Sequence, residues 1–321
     1  PVRVGFVVAR DTLLAEALGA RGFETMTVAS GWLATQGGPA GDWGRALDLW
    51  RPSVLHADGA DCDPLLATAR LRGIRTPLHV RLTAVERFLP ACAHAGTVVA
   101  VSSALQTALT ERLPAGTRVL HVPDGVSAVD VTPRTGVPRT RPPRLVCLGR
   151  VEPAKDQLRA IEIVAALAAQ RLCELRLVGP CGNDAAYADE VTTRLRALPA
   201  SVRAEWRPFS HPAREQYDWA DVVLVASRNE ALGMVGLEAL AAGRLLVAQR
   251  SSGYAEIIDA AAGEGLLFER DEPAADVAER LLTAVTTSYG AYAAAGRRKA
   301  AERFAARRCA ARLMDLWSDR S

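Results

Sequence analysis

Residues 220–243 read ADVVLVASRNEALGMVGLEALAAG. The apolar run at its start, the polar loop after it and the apolar periodicity beyond predict a buried strand, a loop and a helix that begins near Gly233. A helix start leaves backbone N–H groups without internal acceptors and carries the positive end of the helix dipole, so this junction suits phosphate oxygens. Gly233 lets the backbone approach a ligand closely. Glu230 falls in the loop and Glu238 about one turn into the helix, so the two carboxylates can face one ligand from different depths. Ionised carboxylates accept hydrogen bonds from vicinal hydroxyls, the groups that a ribose or a hexose presents. Taken singly, Glu230 also reads as a helix-start residue stabilised by the dipole, and Glu238 as an ordinary exposed helical residue.

Upstream, residues 145–164 read LVCLGRVEPAKDQLRAIEIV. The pattern predicts a strand, a turn at Gly149, a loop flanked by Arg150 and Lys155, and a helix. Strand, glycine and helix bring the two cations to the carboxyl edge of a parallel sheet, where open α/β folds bind ligands. Arginine offers bidentate contact to phosphate and lysine a point charge, so together they can neutralise a leaving diphosphate. A surface arginine and lysine beside a turn have the same appearance.

Short β-branched runs alternate with helical ones along the rest of the chain, the signature of βαβ units. Strands are expected at Val2–Val8, Glu24–Val28, Ser53–His56, Leu78–Leu82, Val98–Val101 and Arg118–Val122, with a helix at Leu13–Arg21. Periodicity disappears across VDVTPRTGVPRTRPPR, residues 129–144, which reads as an exposed interdomain linker. Strands then follow at Arg144–Leu148, Glu174–Val178, Val202–Trp206, Asp221–Val225, Leu245–Ala248 and Gly265–Phe268. Helices are expected at Asp156–Gln170, Tyr187–Leu198 and Val235–Ala242, with a short one through Tyr217 and a helical tail from Pro273. The chain of 321 residues is too long for one ordinary core. We divide it into residues 1–138 and 139–299, with a terminal helix at about 300–321 packing back on the first domain.

Hydrophobic residues make up 49% and charged residues 23%, which excludes disorder and a membrane protein. The 39 basic and 36 acidic residues are interspersed, so nucleic acid is not an expected partner. The cysteines at 62, 92, 147, 173, 181 and 309 form no Cys-x-x-Cys pair and lack histidines at zinc spacing, so we expect reduced thiols, no metal site and no disulfide framework. No apolar stretch is long enough to cross a bilayer and no leader pattern precedes the first strand, so cytoplasmic residence is the expectation.

The ordered motifs resemble the donor domain of retaining family 4 glycosyltransferases. They are Gly149-Arg150, Lys155, Glu230-x7-Glu238, and the flanking runs YDWAD (217–221), EALAAG (238–243), GYAEII (253–258) and GLLF (265–268). The resemblance implies an α/β protein of the GT-B fold, with two Rossmann-like domains whose parallel sheets face across a cleft. It also implies that Arg150 and Lys155 hold a pyrophosphate lined by Gly149, Gly179 and Gly182. The amides of Leu232, Gly233, Met234 and Val235 would touch the distal phosphate, Glu238 the ribose hydroxyls and Glu230 the donor sugar. The base would lie against residues 207–210, including Pro208 and Phe209. In the first domain, WRPSVLHAD (50–58), VAVSSALQTALTERL (99–113) and HVPDGV (121–126) resemble family strands and helices less specifically. The family's glycine pair after the first strand is replaced by residues 9–12, ARDT. Its acceptor-side histidine falls at Thr83, with Arg81 and Glu86 nearby, and His79 reads better as a strand residue packed in the core.

The implied activity is transfer of a sugar from a UDP or GDP sugar to a small-molecule or glycan acceptor with retained anomeric configuration. No cofactor and no metal are expected, since Arg150, Lys155 and the helix start supply the charge stabilisation that a metal would supply elsewhere. An epimerase, a phosphorylase or a non-catalytic nucleotide-sugar sensor would use the same pocket. A Rossmann dehydrogenase is disfavoured, because no glycine fingerprint follows the first strand. The acceptor is expected to be set by first-domain loops that include residues 31–43.

Overall fold

The computed structural model describes residues 4–9, 13–28, 47–209 and 213–318. Residues 10–12, residues 31–43 and Ser210 lie outside the described residues. Two compact units emerge: one formed by residues 1–100 and 106–120, the other by 101–105 and 121–321.

In the first unit, β1 (Gly5–Ala9) is followed by α1 (Leu13–Ala20) and β2 (Glu24–Val28), and the two strands pair in parallel. A second parallel sheet has the order β3 (Ala57–Asp58), β4 (Pro77–Val80), β5 (Thr97–Ala100) and β6 (Val119–His121). The helices α2 (Asp63–Leu71), α3 (Leu89–Cys92) and α4 (Ser103–Arg112) punctuate this sheet. Both β4 and β5 are buried at every position, which fits their mainly apolar runs, with His79 and Thr97 as buried polar members. The strand expected at Ser53–His56 is absent. Val54 makes only an isolated bridge to Arg75, and regular pairing starts at Ala57.

The second unit holds a six-stranded sheet whose paired strands all run parallel. Its strands are β7 (Arg144–Leu148), β8 (Cys173–Val178), β9 (Val202–Arg207), β10 (Val222–Val225), β11 (Leu245–Gln249) and β12 (Leu266–Phe268). Their spatial order is β12-β11-β10-β7-β8-β9, a doubly wound sheet. The chain reverses its winding between β7 and β10, and the carboxyl ends of two strands at such a point open a crevice for ligands. The crossovers are α5 (Gln157–Ala168), α6 (Ala185–Arg196), α7 (Arg214–Trp219), α8 (Met234–Ala241) and α9 (Ser252–Ile257). After these come α10 (Ala274–Thr283), α11 (Tyr289–Arg303) and α12 (Ala306–Ser318). One sheet face is closed by α5, α6 and α10 around Ile163, Leu167, Leu175, Leu224 and Leu281. Removing such area from water is the main stabilising term. On the other face α11 packs on α8, with Gly296 against Leu240.

The segment read as an exposed interdomain linker lies at the surface but is pinned. Arg141 makes two bonds of 2.6 and 2.8 Å to the fully buried Asp221, which also accepts from the Arg144 amide at 2.9 Å. Arg134 lies 3.4 Å from the same carboxylate, and the buried Arg244 donates to the Thr132 carbonyl at 3.1 Å. A buried carboxylate must be paired, and here its partners come from the linker. The compact units therefore divide at 120/121, whereas the sequence pattern puts the boundary at 138/139. Val126 bridges Ala305 and Arg312 donates to the His121 carbonyl, so α12 and the turn before it pack on residues 121–126.

Among the described residues no helix is long and apolar enough to cross a membrane, and no cluster of His, Cys, Asp and Glu is arranged to hold a metal ion. All six cysteines are free thiols, and burial pushes Cys147 up to about 12.

Candidate functional site

The loops after β7 and β10 meet at the winding reversal. Lys155 Nζ donates to Glu230 Oε1 at 2.5 Å, joining positions 75 residues apart. Both side chains are partly buried, at 29% and 20% exposure. Only two of the 39 basic residues are lysines, Lys155 and Lys299, and Lys299 pairs with Glu264 at 2.6 Å. In so arginine-rich a chain the lysine at 155 marks a place where a compact ammonium fits. Its methylenes lie 3.8 Å from where a Cβ on Gly149 would stand.

Glu230 is fixed from behind. Its carbonyl accepts from the Gly253 amide at 3.0 Å and from Ser252 Oγ at 3.2 Å. A Cβ at Gly253 would stand 2.5 Å from the Leu232 carbonyl oxygen, so only glycine permits this approach of α9 to the loop. Ser251 caps α9 by accepting from the Tyr254 amide.

Gly233 has φ +100°, and an added Cβ would meet the Tyr254 ring at 2.7 Å. Its carbonyl takes the first bonds of α8, from the amides of Gly236 and Leu237. The amides of Met234 and Val235 are thus among those that a helix leaves without an internal acceptor. Tyr254 is fully buried under this turn; burial first, then the charge of Glu230, raises its phenol well above the ordinary value. It remains a neutral spacer.

Glu238 is held by Tyr217, whose hydroxyl donates to Oε2 at 2.6 Å. Burial and then the Glu238 charge push the Tyr217 phenol well up, so it stays a donor across the neutral range. Gly149 and Gly179 come together at the ends of β7 and β8, where a Cβ on Gly179 would collide with the Gly149 carbonyl. The Gly179 carbonyl accepts from Trp206 Nε1 at 2.9 Å. Gly182 lies on the same strand-end loop, its amide donating to the Val151 carbonyl at 2.9 Å.

Not every expected residue joins this cluster. The Arg150 side chain is 65% exposed and lies 3.2 Å from Glu152, while its carbonyl accepts from Gln157 at 2.8 Å. Pro208 and Phe209 follow β9, with Phe209 55% exposed. In the first unit His79 is fully buried on β4 with its ring edge-on to His56 at 5.4 Å, as a core histidine should be. Arg81 pairs with Asp58, Glu86 lies 3.3 Å from Arg112, and Thr83 is partly buried in the loop after β4.

Several contributors were not assigned roles from sequence: Tyr217, Tyr254, Gly253, Asp156 and Arg228. Tyr217, Gly253 and Tyr254 sit inside the quoted motifs, so a glycine beside a serine cap was the available signal for a close backbone approach. Asp156 and Arg228 had no such signal.

Residues 142–287 match the family of glycosyl transferases group 1. A D-inositol 3-phosphate glycosyltransferase of Kineococcus radiotolerans is 31% identical over 166 residues, which is 46% of this chain but only 38% of that relative's length. A glycosyltransferase structure from Rickettsia africae superposes with a TM-score of 0.79 at 15% identity, covering 97% of this chain and 89% of that one. The Anabaena protein HepE, solved with UDP and glucose, gives 0.80 at 18% identity over 98% and 91% of the two chains. The chain has the GT-B fold, and its residues 142–287 are similar to the glycosyl transferases group 1.

Proposed function

We propose that this protein moves a sugar from a nucleoside diphosphate to a small-molecule or glycan acceptor, with retention of anomeric configuration and without a metal ion. The observation that carries the proposal is the Lys155–Glu230 pair at the winding reversal, beside the glycine-led start of α8. Residues 139–299 serve as the donor domain and the first domain receives the acceptor. HepE in complex with UDP and glucose supports a uracil base; a GDP sugar is the alternative donor.

As the glycosidic bond breaks, positive charge grows on the sugar and negative charge on the departing diphosphate. Lys155, Arg150 and the Met234 and Val235 amides stabilise the second charge as it develops, which is where such groups accelerate a reaction. Glu230 accepts from sugar hydroxyls and Glu238 from the ribose. The acceptor attacks the face the diphosphate leaves, and the departing phosphate oxygen takes its proton. Retention follows from this geometry.

Calorimetry with UDP, GDP and their sugars tests the donor, and proton NMR of the product anomer tests retention. A ligand at 100 times its Kd should stabilise the fold by about 2.7 kcal/mol. Absence of binding by both nucleotides overturns the donor assignment, and an inverted product overturns retention. Binding with no transfer to any acceptor identifies a sensor, and acceptor-free epimer formation identifies an epimerase.

A further inference from the structure

The Lys155 and Glu230 loops are joined at two more places. The Arg228 amide donates to the Ala154 carbonyl at 3.0 Å, and Arg228 Nε donates to Asp156 Oδ2 at 2.8 Å. Three successive residues are thus tied to the facing loop: 154 to 228, 155 to 230 and 156 to 228. Asp156 is nearly buried and lies in the left-handed region at φ 49° and ψ 49°, between the short turn Pro153–Lys155 and α5. A non-glycine residue there is disfavoured, and aspartate tolerates it better than most. A glycine would adopt this backbone at lower cost, so the carboxylate itself has a use. The Arg228 guanidinium is held in its charged form by that carboxylate first of all.

We infer that Asp156 and Arg228 are positioning residues that hold Lys155 in register with Glu230, so that ammonium and carboxylate meet the donor at a set separation. This rests on the donor-site reading above. Neither residue needs to touch the ligand. A cation displaced by about 1 Å from a developing charge loses much of its effect, and such losses reach about 100-fold in rate. The backbone bond from Arg228 to Ala154 survives side-chain replacement, so the loops stay joined while their register loosens.

The variants are Asp156→Gly, Asp156→Asn, Arg228→Ala and Arg228→Lys. Asp156→Gly relieves the backbone and removes the carboxylate, so the melting temperature should hold or rise while kcat falls about 10-fold or more. Asp156→Asn should lower kcat similarly, with the Kd for UDP within about 3-fold of wild type, and Arg228→Lys should recover part of what Arg228→Ala loses. A second readout needs no turnover. With lysine labelled at 13Cε, the chain gives two resonances, and Lys299→Arg assigns them. In Asp156→Gly the Lys155 signal should move toward its position in Glu230→Gln. An unmoved Lys155 signal overturns the inference, as does unchanged kcat in Asp156→Gly. So does a weakened Kd for UDP in Arg228→Ala with none in Asp156→Asn, which would make Arg228 a direct ligand contact. If wild type turns over no nucleotide sugar, the transfer reading fails, and the Lys155 resonance still decides the positioning role.

Discussion

Tyr217 donates its hydroxyl to Glu238 Oε2 at 2.6 Å from a position only 2% exposed, so the ring of α7 sets the direction of a carboxylate on α8. A hydrogen bond to a charged group contributes about 1.5–3 kcal/mol; under the proposed function Glu238 meets the ribose, and about half of that contribution reaches nucleotide binding through its orientation. Tyr217→Phe should therefore weaken nucleoside diphosphate binding about 5- to 10-fold while leaving the melting temperature within a few degrees. Calorimetry with UDP and GDP checks this, and unchanged affinity would remove Tyr217 from the site.

Lys155 should not be replaceable by arginine. The planar guanidinium is larger than an ammonium and cannot act as a compact charge against both Glu230 and a diphosphate. We expect Lys155→Arg to lose about as much kcat as Lys155→Ala, about 100-fold or more, since each removes a charge matched to the departing diphosphate. Steady-state kinetics decide. Near-wild-type turnover in Lys155→Arg would show that any cation suffices.

The second unit was readable in sequence because its central strands β10 and β11 are buried at every position and its turns carry fixed chemistry. The run 222–225 and the glycines 149, 179 and 233 each have a local cause that spacing reveals. Side-chain pairs between distant segments were not readable. Asp156 with Arg228, Tyr217 with Glu238 and Asp221 with Arg134 and Arg141 depend on which strand lies beside which. The strand order between β7 and β10 is a tertiary fact. The ties of the linker were not readable, because a Pro- and Arg-rich run has no periodicity and Asp221 lies 80 residues beyond Arg141. In the first unit Thr83, Arg81 and Glu86 were placed by resemblance alone, and Arg81 and Glu86 pair with Asp58 and Arg112.

The first unit should lose stability in mild acid. Burial first, then the charges of His79 and Arg81, lowers His56 to about 4 from an ordinary 6.5. Between those values the unfolded chain takes up a proton that the folded chain refuses, so stability is full above pH 6.5 and falls as pH drops toward 4. The effect is at most about 3 kcal/mol. Urea denaturation at several pH values should show a shallower slope over that window for His56→Gln than for wild type; equal slopes contradict the assignment.

Asp221 should be a stability residue with no part in chemistry. Asp221→Asn leaves Arg134 and Arg141 without their shared anion, and breaking a buried pair costs about 3–5 kcal/mol, reduced here because both arginines are partly exposed. Denaturant midpoints should fall clearly while UDP affinity at low temperature stays near wild type. A loss of affinity without a loss of stability would assign Asp221 to the donor site.

Under the proposed function, the winding reversal of the second unit is a sugar-donor site. This assignment is tested most directly by following nucleoside diphosphate release and glycoside formation together for wild type, Glu230→Ala and Arg150→Ala with UDP and GDP sugars. The account predicts coupled release and transfer in wild type and a loss of about 100-fold or more in both variants. Near-wild-type rates in both variants would contradict it.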